Sequence, residues 1–266
     1  MKINDLYYDG YVSNIIEIFR QRHKNKLDNV VVVTGKEGSG KSSFAIGMCH
    51  AYAHLQGTTF SVDDITFSAQ EFLNRATHRK NGIILYDEAV QGLMGAQWQN
   101  KTQQLIIQAL MMARKNGNLY VLCIPSFEYL AKYVASERTF VMFEAYMQKY
   151  QRGFVKIFPQ NMLKTMYHLA KTRSNKKLKA PRVARFADHS HKVIDKEAYE
   201  TKKDKAIQKL TDALEGPMSK NEQRYYLLIN HFNPDTRVLA QVMDISERTA
   251  RHHKQKAREL HKDGSK

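Results

Sequence analysis

Residues 35–42 read Gly-Lys-Glu-Gly-Ser-Gly-Lys-Ser, one residue after the apolar run at 30–33 and just before a predicted helix at 43–53. The spacing matches G-x-x-x-x-G-K-[ST], the phosphate-binding loop that joins a strand to a helix. Glycines permit positive φ angles, so successive N–H groups can converge on one anion at the helix N-terminus. Lys41 would contact the β- and γ-phosphates, and the Ser42 hydroxyl would bind Mg²⁺. The stretch therefore predicts a nucleoside triphosphate site formed by Gly35, Lys36, Glu37, Gly38, Ser39, Gly40, Lys41, Ser42 and Ser43.

The charge of the chain is strongly basic, with 42 Lys and Arg against 26 Asp and Glu and a formal net charge of +16. Such a surplus indicates a polyanionic partner, which a nucleotide alone would not require. We find no run of about 18 apolar residues and no signal-peptide-like segment, so we expect no stable membrane insertion. Cys49 and Cys123 fall in predicted core elements, as buried thiols of a reducing cytoplasm would. These features predict a cytoplasmic protein, located in the host cytoplasm if it is viral.

A second apolar run, at residues 83–86, ends in Asp87 and Glu88. Four apolar residues followed by two acids resemble Walker B, the second nucleotide-site motif of P-loop ATPases. Ligands bind at the carboxyl ends of strands in an open parallel sheet. By this resemblance Asp87 would help to hold Mg²⁺, while Glu88, on the opposite side of the strand pleat, would polarise an attacking water. Two solvated acids at a strand end are the alternative interpretation.

The remaining pattern predicts helices at residues 14–22, 69–77, 102–114 and 127–137, with Ser68 as an N-cap of the second. A buried strand is predicted at 118–126, and a β-hairpin at 139–147 and 154–158. Between Lys149 and Arg185 every charged residue is positive. The whole run favours a nucleic-acid contact over a solvated face, with RNA or a membrane surface as other partners. The residues selected for DNA binding in this run are Lys171, Arg173, Lys176 and Lys177.

The C-terminal segment predicts a further small helical domain. Ser219 and Glu222 form a capping box that starts a helix, and two more helices are predicted at residues 236–243 and 246–260, the second with Ser246 as its N-cap. The short turn between these last two helices resembles that of helix-turn-helix DNA-binding domains, in which the second helix enters the major groove. A generic helical hairpin is the alternative. The predicted base-contacting residues are Arg248, Thr249, Arg251 and His252.

The phosphate loop, the Walker B motif with its adjacent glutamate and a strand between them resemble the additional-strand, catalytic-glutamate branch of P-loop ATPases. That branch includes RecA-like, FtsK/HerA-like, AAA+ and viral packaging enzymes. The chain is most similar to compact viral or plasmid ATPases, including zonula-occludens-toxin-like ones. The resemblance implies an α/β, RecA-like core with a mostly parallel sheet that binds ATP and Mg²⁺. It also implies a homo-oligomeric ring such as a hexamer, Ser126 as a γ-phosphate sensor, and Arg138 or Arg114 as an arginine donated to the neighbouring subunit.

This interpretation predicts a P-loop ATPase domain with a β-hairpin at residues 1–165, a basic extension and helical linker at 166–215, and a helix-turn-helix domain at 216–266. The expected function is that of an ATP-hydrolysing, DNA-stimulated motor or remodelling protein of a virus or mobile element. Packaging, DNA transfer and replication are its expected settings. A nucleotide-switched DNA-binding regulator or assembly factor without motor activity is the alternative.

Overall fold

The computed structural model of the protein describes residues 2–3, 6–87, 96–172, 178–214, 235–242, 246–252 and 254–255. The chain forms two compact units, Met1–Ile207 and Gln208–Lys266. Among the helices in these ranges, none is long and apolar enough to cross a membrane.

The first unit contains a seven-stranded sheet in the order β4-β5-β6-β3-β7-β8-β9 and a separate pair, β1-β2. Strands β4, β5, β6, β3 and β7 are parallel, whereas β8 and β9 are added antiparallel at one side. The mostly parallel sheet confirms the predicted α/β fold class. The strands are β1 (Lys2–Ile3), β2 (Leu6–Tyr7), β3 (Asn29–Thr34), β4 (Ile65–Thr66), β5 (Ile83–Asp87), β6 (Leu119–Cys123), β7 (Val141–Gln148), β8 (Gln151–Pro159) and β9 (Arg182–Arg185).

Helices cover both faces of this sheet, which explains why β3 is buried along its whole length and has four consecutive valines at its centre. Val31 and Val33 face one core, formed with α1 and α2, while Val30 and Val32 face a second core, formed with α3, α4 and α5. The same alternation continues in β5 and β6. The helices of the first unit are α1 (Gly10–Lys24), α2 (Lys41–Gln56), α3 (Ala69–His78), α4 (Ala96–Met112), α5 (Gln160–Lys171), α6 (Ser190–Val193) and α7 (Lys196–Leu214), the last of which continues into the second unit.

Local signals in the sequence are reproduced at several positions. Ser68 caps α3, because its hydroxyl accepts a hydrogen bond from the Glu71 N–H at 3.2 Å. The predicted hairpin is β7 and β8, joined by Lys149 and Tyr150, both at positive φ. Strand β9, from the segment predicted to be an extension, pairs with β8 in the sheet.

The helix predicted at residues 127–137 is wrong. The structure has a 3₁₀ turn at Phe127–Tyr129 and a π-helical turn at Tyr133–Arg138 instead. Both the N–H and the hydroxyl of Thr139 donate to the Val134 carbonyl. The backbone hydrogen bond therefore spans five residues, as in a π-helix, and not the four residues of an α-helix.

The second unit contains α8 (Thr236–Val242) and a helix that begins after Ser246. Ser246 is the predicted N-cap, and its hydroxyl accepts from the Thr249 N–H at 3.1 Å. Leu239, Ala240 and Ala250 are buried, as the apolar side of such a helix pair would be. The capping box at Ser219 and Glu222 and the turn at 243–245 lie outside the described residues.

Candidate nucleotide-binding site

The loop between β3 and α2 has the backbone that its glycines predict. Gly38 and Gly40 have φ angles of 73° and 92°, in the left-handed region that side chains disfavour. Gly35 packs against β7 so closely that a Cβ there would lie 2.2 Å from the Ala145 carbonyl oxygen. Helix α2 begins directly after Gly40, so its free N–H groups face the inside of the loop. The loop is therefore shaped to surround an anion.

Two polar side chains of the loop also fit a bound phosphate. The Lys41 ammonium donates to the carbonyl oxygens of Gly35 at 2.8 Å and Lys36 at 3.1 Å, which leaves one of its three protons for another acceptor. The Ser39 hydroxyl is buried, and within the described part of the chain it has no hydrogen-bond partner. A buried hydroxyl without a partner is costly, and a phosphate oxygen in the loop would satisfy it. The loop residues fit the triphosphate that the sequence predicts.

Asp87 ends β5, on the same carboxyl edge of the sheet as the phosphate loop. Strand β6 lies between β5 and β3, since Cys123 is in register with Asp87 on one side and Val33 on the other. The Asp87 side chain is buried, at 2% exposure. The other acid of this motif, Glu88, lies outside the described residues.

The hydroxyl of Tyr199, on α7, contacts one of the two predicted metal ligands. It donates a hydrogen bond to Asp87 Oδ2 at 2.7 Å, and Tyr199 lines the same cavity as Ser42. Burial, together with the negative charge of Asp87, raises the pKa of Tyr199 far above its ordinary value. Tyr199 therefore stays protonated and remains a donor. Asp87 and Ser42 together offer the oxygen ligands that Mg²⁺ prefers.

A cavity of about 550 Å³ opens above the phosphate loop and Asp87. Its walls include Arg152 from the start of β8 and residues 188–203 from the chain around α6 and α7. The Arg152 guanidinium lies beside the loop, 3.7 Å from the position of a Cβ on Gly38. Lys196 and Lys203 also line the cavity, and so do the acids Glu37, Asp188 and Glu200. The groups suited to an anion are therefore those at the phosphate loop, where Lys41 and Arg152 lie.

Sequence reasoning missed Tyr199 and Arg152 as site residues. Arg152 was part of the recognised basic run, so its charge was a signal, but nothing local indicated that the β7–β8 hairpin brings it to the loop. Tyr199 lies in a polar helix, and its aromatic ring among charged neighbours was the one available signal.

Arg138, one of the two candidates for an arginine donated to the neighbouring subunit, does not lie at the carboxyl edge of the sheet. Arg138 precedes β7, which is parallel to β3, and residues before these strands lie at the amino edge, opposite the phosphate loop. Its guanidinium is ion-paired with Asp28 and donates to the Leu110 carbonyl at 3.2 Å. The side chain is only 11% exposed. Its position is that of a structural ion pair.

Arg114 also lies at the amino edge, in a 3₁₀ turn before β6, where it is exposed. Ser126 follows β6 at the carboxyl edge, as expected, and is half-buried. Its side chain makes no capping hydrogen bond to the 3₁₀ turn that follows it.

The predicted DNA-binding residues fall in separate places. Lys171 is exposed at the end of α5, while Arg173, Lys176 and Lys177 lie outside the described residues. In the second unit the four predicted base-contacting side chains lie exposed on the helix after Ser246. These are Arg248, Thr249, Arg251 and His252.

Together, the sheet and the loop define an α/β protein with a phosphate-binding loop. No family model matches the sequence, and no curated protein does. Three solved structures to which the chain shows some similarity are a genome packaging NTPase of Sulfolobus turreted icosahedral virus 2 in complex with AMPPCP, AMPPCP-bound DnaA from Aquifex aeolicus, and a DNA replication initiation factor.

The three similarities differ in extent but are all distant. The packaging NTPase is 14% identical, with 51% of this chain and 94% of that chain covered and a TM-score of 0.34. DnaA is 15% identical, with 96% and 90% covered and a TM-score of 0.33. The initiation factor is 14% identical, with 91% and 73% covered and a TM-score of 0.34. Similarities at this level assign neither a family nor a function.

Proposed function

We propose that the protein is an ATP-hydrolysing, DNA-binding motor or remodelling protein of a virus or mobile element. The observation that carries the proposal is the phosphate loop, in which Lys41 lines a cavity together with Asp87, and the buried Ser39 hydroxyl is left without a partner in the described part of the chain. The position of β6 between β3 and β5 supports the additional-strand class of P-loop ATPases.

In this proposal each residue of the site has one role. The loop N–H groups and Lys41 bind the phosphates, while Ser42 and Asp87 hold Mg²⁺. Glu88 follows Asp87 in the chain and accepts a proton from the attacking water. Mg²⁺, when bound, neutralises charge on the phosphate oxygens. Arg152 supplies a further positive charge from the same subunit, and exposed Arg114 remains the candidate that a neighbouring subunit could receive in a homo-oligomeric ring.

Replacing Lys41 with alanine should weaken binding of the ATP analogue AMPPCP by about 10- to 100-fold, because a hydrogen bond to a charged group contributes roughly 1.5–3 kcal/mol. Calorimetry on the full chain measures this loss directly. Lys115→Ala is the matched control, since Lys115 is exposed in the turn before β6. Equal affinities of wild type and Lys41→Ala would refute the nucleotide-site assignment.

DNA is the partner that the charge of the protein favours. On the described surface, Lys171 and the β9 residues Arg182 and Arg185 are exposed cations. Arg185 stacks on Phe154 at 5.0 Å, which places a guanidinium and an aromatic ring side by side. Cations bind phosphates and aromatic rings can stack on bases. The exposed Arg248 and Arg251 of the second unit could in turn reach base edges in the major groove.

We expect the two proposed DNA contacts to separate in a salt titration of duplex affinity. Changing Lys171, Arg173, Lys176 and Lys177 to glutamine should flatten the log–log salt slope by up to about 3.6, at roughly 0.9 for each phosphate contact. Changing Arg248 and Arg251 to alanine should instead reduce any sequence preference. If the first variant keeps the wild-type slope, the basic run is a solvated face.

One observation favours the second candidate, a nucleotide-switched DNA-binding regulator. Helix α7 contacts the nucleotide site through Tyr199 and continues past Ile207 into the second unit, which carries the proposed DNA-binding helix. A motor should hydrolyse ATP continuously on long DNA, whereas a switch should hydrolyse about one ATP for each binding event. Measuring phosphate release per bound protein distinguishes the two.

A further inference from the structure

Tyr199 is held firmly at the nucleotide site by the packing of α7. Its ring makes an edge contact with Phe67, with centroids 5.4 Å apart, and is only 7% exposed. About one helical turn after Tyr199, Lys202 forms an ion pair with Glu71 at 3.0 Å. Lys202 also donates to the carbonyl oxygens of Val62 and Ile65. These contacts fix the N-terminal half of α7 against the sheet and aim the Tyr199 hydroxyl at the carboxyl edge.

The hydroxyl uses an oxygen ligand that Mg²⁺ would need. Tyr199 donates to Asp87 Oδ2 at 2.7 Å, and both residues line the cavity above the phosphate loop together with Ser42. Mg²⁺ binds its oxygen ligands at about 2.0–2.1 Å, so a metal ion bound directly to Asp87 Oδ2 would take the place of the hydrogen that the phenol donates. Without a metal, however, a carboxylate as deeply buried as Asp87 needs a donor. Tyr199 supplies that donor.

We propose that Tyr199 is a latch on the magnesium site: it occupies Asp87 in the nucleotide-free protein and leaves it when Mg²⁺ binds with the nucleotide. The inference rests on the proposed function, because it requires Asp87 to hold the metal. Since the ring and its hydroxyl are part of α7, release of the hydroxyl loosens the N-terminal half of that helix. The latch also lowers the apparent affinity for the metal–nucleotide complex, because only the released fraction can bind it.

The direct test compares Tyr199→Phe with wild type by calorimetry, using the full chain and AMPPCP as the probe. Phenylalanine keeps the ring against Phe67 and removes only the competing hydroxyl. We expect Tyr199→Phe to bind AMPPCP with Mg²⁺ about 10- to 100-fold more tightly, the size of one lost hydrogen bond to a charged group. With EDTA in place of Mg²⁺, the two proteins should bind AMPPCP equally. Equal or weaker binding by the variant with Mg²⁺ would overturn the latch.

Tyr52→Phe is the matched control, because Tyr52 is a buried tyrosine of α2 whose hydroxyl bonds to Gln56 and not to the site. It should bind AMPPCP like wild type under both conditions. The same titrations distinguish a failure of the proposed function from a failure of the latch alone. Wild type that binds no AMPPCP at all refutes the proposed function, whereas wild type that binds it while Tyr199→Phe gains nothing refutes only the latch.

A second measurement needs no variant, so it remains decisive if Tyr199→Phe folds poorly. Amide hydrogen exchange of wild type should become faster in residues 196–203 when AMPPCP and Mg²⁺ are added together, since the hydroxyl has been released. AMPPCP with EDTA should leave that exchange unchanged. Unchanged or slower exchange with Mg²⁺ and AMPPCP would show that Tyr199 stays in place, and the proposal would fail.

Discussion

Replacing Glu88 with glutamine is expected to lower ATP turnover by about 10²–10⁴-fold, the usual contribution of a general base. Glutamine has nearly the same shape as glutamate, but its amide cannot accept the proton of the attacking water. Binding of ATP through the phosphate loop should remain intact, because Lys41 and the loop N–H groups are unchanged. Steady-state phosphate release, measured beside AMPPCP affinity, separates the two effects.

Glu137→Gln is the matched control for this experiment, since Glu137 is an exposed acid in the π-helical turn before β7, at the edge of the sheet away from the loop. Its turnover should equal that of wild type. Normal hydrolysis by Glu88→Gln would show that another group activates the water and that the Walker B resemblance does not extend to the glutamate.

The second large effect is expected on stability. Arg138→Ala should lower the free energy of unfolding by about 3–5 kcal/mol, the usual result of removing one partner from a buried ion pair. Asp28 would then be a nearly buried carboxylate without its guanidinium, and the Leu110 carbonyl would lose a donor. Urea unfolding of wild type and variant measures the difference.

Arg114→Ala is the natural comparison, because Arg114 is an exposed arginine at the same edge of the sheet and should change stability by less than about 0.5 kcal/mol. Removing both Asp28 and Arg138 should cost less than the sum of the two single changes, since neither charge is then left alone. Undiminished stability of Arg138→Ala together with a loss of turnover would instead return Arg138 to the role of an arginine donated in trans.

The phosphate loop and its flanking elements were predictable because their signals are local. A β-branched run, glycines at fixed offsets and a following helix all belong to one stretch of the chain, and β3, the loop and α2 reproduce it. The same holds for the Ser68 and Ser246 caps, where one side chain bonds to a backbone N–H three residues away.

What the sequence could not predict depends on which edge of the sheet a residue reaches. Arg138 and Arg152 are both basic residues beside β-strands, yet one precedes a strand parallel to β3 and the other begins an antiparallel strand. They therefore lie at opposite edges. Tyr199 shows the same limit over a longer distance, since its partner Asp87 is 112 residues away and no periodicity links them.

The two outermost strands of the seven-stranded sheet, β4 and β9, also affect how copies of the chain could associate. Exposed edge strands invite pairing with another chain, which short strands and charged or proline residues discourage. Strand β4 has only two residues, while β9 carries Arg182 and Arg185 and directly follows Pro181. Neither outermost strand is suited to pairing with a strand of a neighbouring copy. A ring of subunits would therefore form through contacts between side chains of helices and loops, which lets each interface rearrange without breaking backbone hydrogen bonds.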